Sequence, residues 1–229
     1  MSILATYAVP HPPLIIPAIG AGREQEIAAT VRAYQEAMRA AAELRPDTVV
    51  IISPHATAYD DFFHISPGEA AEGNFAAFGH PEITVGIEYD VEFVRALSAA
   101  AGERDVPAGT LGEKNAALDH GTMIPLFFLS TYLGDAPTKF VRIGVSGLPA
   151  HTHALLGQAI AAAAEQLGRR TICIASGDLS HRLKEDGPYG IVPEGAEFDE
   201  LCTAFMKTGD FLSLLQIPGS FAEAAGRRR

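Results

Sequence analysis

The sequence predicts an α/β fold, a single domain with a central, mainly parallel twisted sheet flanked by helices. Three observations carry that expectation. Short runs rich in β-branched residues alternate with longer amphipathic stretches. The first two such runs are joined by a crossover of the length that parallel strands need. The chain has 229 residues, 48% of them hydrophobic and 20% charged, which is enough apolar surface for one sizeable core.

The elements follow in order. "ILATYAV" (3–9) and "DTVVIIS" (47–53) read as buried strands. Between them, "REQEIAATVRAYQEAMRAAAELR" sets Ile27, Val31, Tyr34, Met38 and Ala42 at helical spacing. Strand, helix and strand of that length take a right-handed crossover, so parallel pairing is expected. "DFFHIS" and "EITVGIEYD" read as strands, with residues 66–82 as an irregular loop. "DVEFVRALSAAAG" reads as a helix with Asp90 as its cap and Gly102 near its end. Alternation then resumes: an apolar helix in "GTMIPLFFLSTYL", a strand in "KFVRIGVS" (139–146), a helix in "HTHALLGQAIAAAAEQLG", and a strand in "TICIAS" (171–176). From about Gly195 the chain reads as mostly helical.

Composition excludes several function classes. Lys and Arg number 17 against 28 Asp and Glu, and a formal charge of -11 argues against a phosphate-tracking, nucleic-acid surface. The closing "GRRR" reads as a basic tail over residues 227–229. No apolar run approaches the ~20 residues that span a bilayer, so no membrane association is expected. Cys173 and Cys202 do not form a CxxC pair, and no signal peptide precedes the first strand, which together predict a cytoplasmic protein. The Walker, GxGxxG and GxSxG signatures are absent.

The chemistry therefore falls to the eight histidines. His11 follows the first strand in "VPHPP", His55 follows the second in "IISPHA", and His181 follows the last in "IASGDLSH". His120, in "ALDHGT", stands just before the apolar helix. Carboxyl ends of parallel strands line a common crevice, so His11, His55 and His181 are expected to converge, as a metal or catalytic cluster. Prolines on both sides of His11, and Pro54 before His55, restrict the backbone and reduce the freedom lost on binding. For any one of them alone, a core or loop histidine bonded to backbone is the competing reading. Asp178 and Ser180 lie close enough in sequence to orient the His181 ring, although Ser, Gly and Asp are also ordinary turn residues. His151 and His153 read as surface, His64 as solvent-facing on a half-buried strand, and His80 as a loop residue before proline. Phe62, Phe75 and Phe78 read as core rather than as substrate wall.

With "PHPP" (10–13), "SPH" (53–55), "DHG" (119–121) and "SGDLSH" (176–181) in this order, the chain resembles the class III extradiol dioxygenases of the catalytic B-subunit type. "SGDLSH" followed by "YGIVPEGAEFDE" is most similar to the Memo-like branch, also called the AmmeMemoRadiSam system. The resemblance implies one domain over residues 1–226 and a mononuclear Fe(II) site that opens a catecholic ring with O₂. It implies His11 and His55 as metal ligands, His181 as the acid/base, and His120 as a residue that orients substrate or oxygen. In Memo-like relatives the counterpart of His181 also lies close enough to join the metal. Zn²⁺ is the alternative occupant. The implied partners are a small aromatic substrate and O₂, or, in the Memo-like branch, a radical SAM-associated protein without ring cleavage; a homo-oligomer is compatible with either. The family's carboxylate ligand comes from a C-terminal motif reading like "EAGECG". Here "FAEAAGRRR" places Arg227 at that position, so a shortened member lacking its third ligand is expected, with Glu223 near it and Glu197 a more distant alternative.

Overall fold

β-branched residues fill both faces of the strands at the middle of the sheet, and that is why those strands are buried on both sides. A computed structural model describes residues 2–187 and 189–226. The chain divides into two compact units, one up to Gly177 and one from Asp178.

In chain order the first unit runs β1 (Ile3–Val9), α1 (Pro17–Gly20), α2 (Ala28–Glu43), β2 (Thr48–Ser53), β3 (Phe63–His64), β4 (Ala70–Phe75), β5 (His80–Glu88), α3 (Val91–Gly102), β6 (Ala108–Gly109), α4 (His120–Leu133), β7 (Lys139–Gly144), α5 (Ala150–Leu167) and β8 (Thr171–Ser176). The main sheet has the order β1-β8-β2-β7, and every pairing in it is parallel. The predicted α/β class and mainly parallel sheet are therefore present. The expected pairing of the first two strands is not: β8, the last in sequence, lies between β1 and β2 and bonds to both.

Side chains alternate across the sheet. Val49, Ile51, Ile172 and Ile174 bury one face against Tyr34 and Met38 of α2 and Ile124 and Leu129 of α4. Val50, Val141 and Ile143 bury the other against Phe93 and Leu97 of α3 and Leu156 and Ile160 of α5. The result is a helix–sheet–helix sandwich. Asp90 caps α3 as expected, accepting from the Phe93 amide at 3.0 Å.

The irregular loop expected over 66–82 is instead largely an antiparallel hairpin of β4 and β5, joined through a 3₁₀ turn at Ala76–Phe78. Exposed and buried residues alternate along it, but "EAAEGN" supplies few β-formers, so the alternation is muted. His80, expected in a loop, opens β5. "DFFHIS" yields only the two residues of β3.

The second unit holds α6 (Pro193–Thr208), α7 (Phe211–Leu215) and α8 (Gly219–Ala224). Asp199 of α6 accepts from the Ser180 amide at 2.8 Å, and Ser180 Oγ donates to the Ala225 carbonyl at 2.6 Å, so Ser180 is tied both to α6 and to the residue just past α8. No helix of the described residues is long and apolar enough to cross a membrane.

Candidate metal centre

The strands of the main sheet end level with one another: Val9 stands opposite Ser176 and Ser53 opposite Gly144. His11 lies two residues past the end of β1, and His55 lies two past the end of β2. β8 runs between them, so its last residue, Ser176, sits at the same edge. His120, the first residue of α4, arrives there too. One ring nitrogen from each of His11, His55 and His120 lies within 4.8 Å of the others. His11 is buried, His120 half-buried and His55 exposed, so the cluster opens to solvent on the His55 side.

His11 is held by direct bonds. Ser176 Oγ donates to the Gly121 carbonyl at 2.6 Å and stands 3.0 Å from His11 Nδ1. A hydroxyl has one hydrogen, and here the carbonyl takes it, so toward His11 the serine oxygen accepts. Nδ1 therefore carries the proton and Nε2 is unprotonated, the form a metal ligand needs.

His55 and His120 are held through a longer chain of contacts. Asp119 caps α4, accepting from the Thr122 amide at 2.9 Å and its hydroxyl at 2.8 Å. The same carboxylate accepts from Ser53 Oγ at 2.6 Å, and Ser53 Oγ in turn accepts from the His55 amide at 3.2 Å. A Cβ on Gly121 would stand 2.5 Å from Ser53 Oγ and 3.2 Å from His55 Cδ2, so only glycine lets α4 approach this closely.

Behind Asp119 lies Arg142, a fully buried guanidinium in the middle of β7. It donates to Ser66 Oγ at 2.7 Å, to the Ala117 carbonyl at 2.8 Å and to the Asn115 carbonyl at 3.1 Å. It stands 3.5 Å from Glu113 and 4.0 Å from Asp119. Glu113 also accepts from Thr57 Oγ1 at 2.7 Å, which reaches the loop that carries His55. One side chain thus ties the otherwise irregular arm 113–119 to the sheet and braces both His55 and His120. Five N–H donors in a planar fork suit that task where a lysine would not.

Of the other expected residues, His181 and Asp178 belong to the second unit. There Asp178 Oδ2 stands 3.4 Å from His181 Nε2, and the ring stacks on Tyr189 at 5.6 Å. Glu197 and Glu223 are exposed, and Arg227 lies outside the described residues. His64 departs from expectation: it is fully buried, not solvent-facing, because β3 pairs with β6 under the Tyr59 and Arg142 side chains. Neither of its ring nitrogens has a hydrogen-bond partner, and burial pushes its pKa below the ordinary value. His153, read as surface, turns its ring edge onto Phe63 at 4.7 Å, while His151 is exposed. Phe75 is core as expected, but Phe78 meets the His120 ring edge-on at 5.4 Å and so flanks the cluster.

Sequence reasoning missed Ser53, Asp119, Ser176 and Arg142. Two signals were there to find: Asp119 stands where a helix cap should, and a lone arginine interrupts the apolar run "VRIG" of a strand buried on both faces.

The donor set fits a divalent metal ion. His11 Nε2 and His55 Nε2 are 3.1 Å apart, and two imidazole nitrogens bound side by side at ~2.1 Å from one ion stand about 3 Å apart. Three imidazoles suit iron, zinc or copper. Over residues 5–227 the sequence matches the family described as the catalytic LigB subunit of aromatic ring-opening dioxygenase. It is also 32% identical over 234 residues to Protein CA_C1420 of Clostridium acetobutylicum, an alignment covering 99% of this chain and 49% of that protein. The chain thus spans about half the length of that relative.

Proposed function

Because the chain belongs to the LigB family of aromatic ring-opening dioxygenases, we propose that it cleaves a catecholic ring next to a hydroxyl, with O₂ as co-substrate and Fe(II) held by His11, His55 and His120. The observation that carries this reading is the set of three imidazole nitrogens within 4.8 Å at a sheet edge where one of them is exposed. Bound there, the ion would supply Lewis acidity toward the two catechol oxygens and, as iron, exchange electrons with O₂. The remaining tasks fall to the chain. His11 offers an unprotonated Nε2 because Ser176 accepts from its Nδ1–H. The open His55 side admits substrate. Phe78, edge-on to His120, gives a planar ring an aromatic neighbour. His120 takes the third ligand position in this reading, rather than the substrate-orienting one the resemblance implies. The resemblance assigns the proton acceptor's role to His181, whose Nε2 stands 3.4 Å from Asp178 Oδ2 within the second unit.

Anaerobic reconstitution with Fe(II), followed by O₂ and a panel of catechols, is expected to give coloured ring-fission products. A chain shown to hold iron that turns over none of them would overturn the reading.

One observation favours a second reading. Non-haem Fe(II) oxygenases use two histidines and a carboxylate, whereas this cluster is three imidazoles, a set that zinc accepts equally. On that reading the chain is a Memo-like metal-binding protein that serves a radical SAM-associated partner and opens no ring. Elemental analysis of protein purified without added metal separates the two. Zinc alone, with no catechol turnover after iron loading, supports the second.

A further inference from the structure

Helix α4 contains a proline, Pro125, in its interior. A proline there removes the hydrogen bond that its N–H would give to the carbonyl four residues earlier, and its ring crowds that carbonyl. The carbonyl four residues before Pro125 is that of Gly121. In an ordinary helix, losing that donor is a defect, and α4 is buried over much of its length, including Gly121 and Pro125 themselves, where an unpaired carbonyl is costly. In this helix the Gly121 carbonyl has another donor, the Ser176 hydroxyl at 2.6 Å.

The consequence passes through three bonds. With the proline in place, no helical N–H holds the Gly121 carbonyl along the helix axis, and the carbonyl turns to the Ser176 hydroxyl instead. Ser176 spends its only hydrogen there, so the lone pair facing His11 Nδ1 at 3.0 Å can only accept. His11 is then confined to the tautomer with Nδ1 protonated and Nε2 unprotonated. Nε2 is the atom that stands 3.1 Å from His55 Nε2, on the side of the metal cluster.

We propose that Pro125 is a positioning residue: by leaving the Gly121 carbonyl free for Ser176, it fixes the tautomer of His11 and so prepares Nε2 to bind metal. Pro125 does this from inside a helix, without being one of the ligands. The inference rests on the reading that His11 belongs to a metal site, but the tautomer itself is a property of the metal-free protein.

The test uses the full chain in three forms: wild type, Pro125→Ala and Ser176→Ala. Long-range proton–nitrogen NMR on histidine-labelled, metal-free protein reads the His11 tautomer. Titration with Co(II), followed by its visible spectrum, reads affinity. Thermal unfolding of the metal-free forms reads stability. The wild type is expected to show His11 protonated at Nδ1. Ser176→Ala should mix the tautomers and loosen Co(II) 10- to 100-fold, the usual cost of removing a ligand's supporting partner.

Pro125→Ala is the discriminating variant. It restores a helical N–H and relieves the crowding of the Gly121 carbonyl, drawing that carbonyl back toward the helix axis and away from Ser176, so it should mix the tautomers and loosen Co(II) by roughly 10-fold, while the unfolding midpoint stays level or rises. A purely structural proline would give no loss of affinity without a loss of stability. The proposal is overturned if the wild type carries the His11 proton on Nε2, or if Pro125→Ala leaves both tautomer and affinity unchanged. Should Pro125→Ala fail to fold, an unaltered tautomer in Ser176→Ala overturns it equally. A wild-type protein that shows the Nδ1–H tautomer but binds no Co(II) would remove the metal reading and leave the tautomer device standing.

Discussion

His11 and His55 reach the same edge of the same sheet, each two residues past a strand, yet they are held in opposite ways. His11 is buried and fixed by a serine on the neighbouring strand, a direct bond between regular elements. His55 is exposed on a loop, and its position depends on Ser53, Asp119, Glu113 and finally Arg142 in the middle of β7. His120 shares that second support, since Asp119 is the cap of its helix. The difference teaches that a buried imidazole can be supported locally, whereas imidazoles at an open rim need a brace that originates in the core.

Substitutions should separate the two supports. Arg142→Met removes one partner of a buried charge cluster and leaves Glu113 and Asp119 uncompensated, so it is expected to cost about 3–5 kcal/mol in urea unfolding. In whatever fraction folds, the His55 and His120 ring signals should shift while the His11 tautomer stays as in wild type. If His11 changes as much as the other two, the supports are not separate.

Gly144→Ala is next in size. A Cβ there would lie 1.9 Å from the Thr57 carbonyl oxygen, closer than any backbone tolerates, so the loop carrying His55 must move outward. The expected cost is ~1–3 kcal/mol, with weaker metal binding from the His55 side. Thr57→Val keeps the shape of the side chain and removes only the hydroxyl that bonds Glu113. It should cost about 1 kcal/mol by the denaturation midpoint and loosen metal without altering His11.

The smallest effect is a pH dependence. His64 lies beside Glu113, which raises its pKa, and Arg142 and Lys114, which lower it, but burial dominates and the net shift is downward from 6.5. Between the lowered folded value and 6.5 the unfolded chain takes up the proton more readily, so stability is intact above about 6.5 and declines as pH falls. His64→Phe should flatten that decline. An unchanged slope in the variant would assign the acid sensitivity to another group.

The same contrast explains what could be read from sequence. His11 and His55 were legible because strand ends and prolines mark them locally, and Asp90 was legible as a cap because capping is a short-range rule. The brace was not, because Arg142 acts on residues that lie some 23 positions away along the chain at the nearest, as with Asp119, and nothing local in "KFVRIGVS" names those partners. The β4–β5 hairpin escaped because its alternation is written in Ala, Glu and Gly rather than in strand formers. Strand order was hidden too: periodicity predicts strands but says nothing about which one is inserted between two others.

That insertion also sets a timetable. β1 is finished at Val9, yet its partner in the sheet, β8, begins at Thr171. During synthesis the first strand must wait until Thr171 has been added, and β2, already able to pair with β7, waits for the same neighbour on its other side. Pairings of such long range are slow to form and leave unpaired edges exposed meanwhile. Ser176, which orients His11, is the last residue of that final strand. Insertion of β8 into the sheet and setting of the His11 imidazole are therefore one event, whereas the support of His55 and His120 does not wait for it.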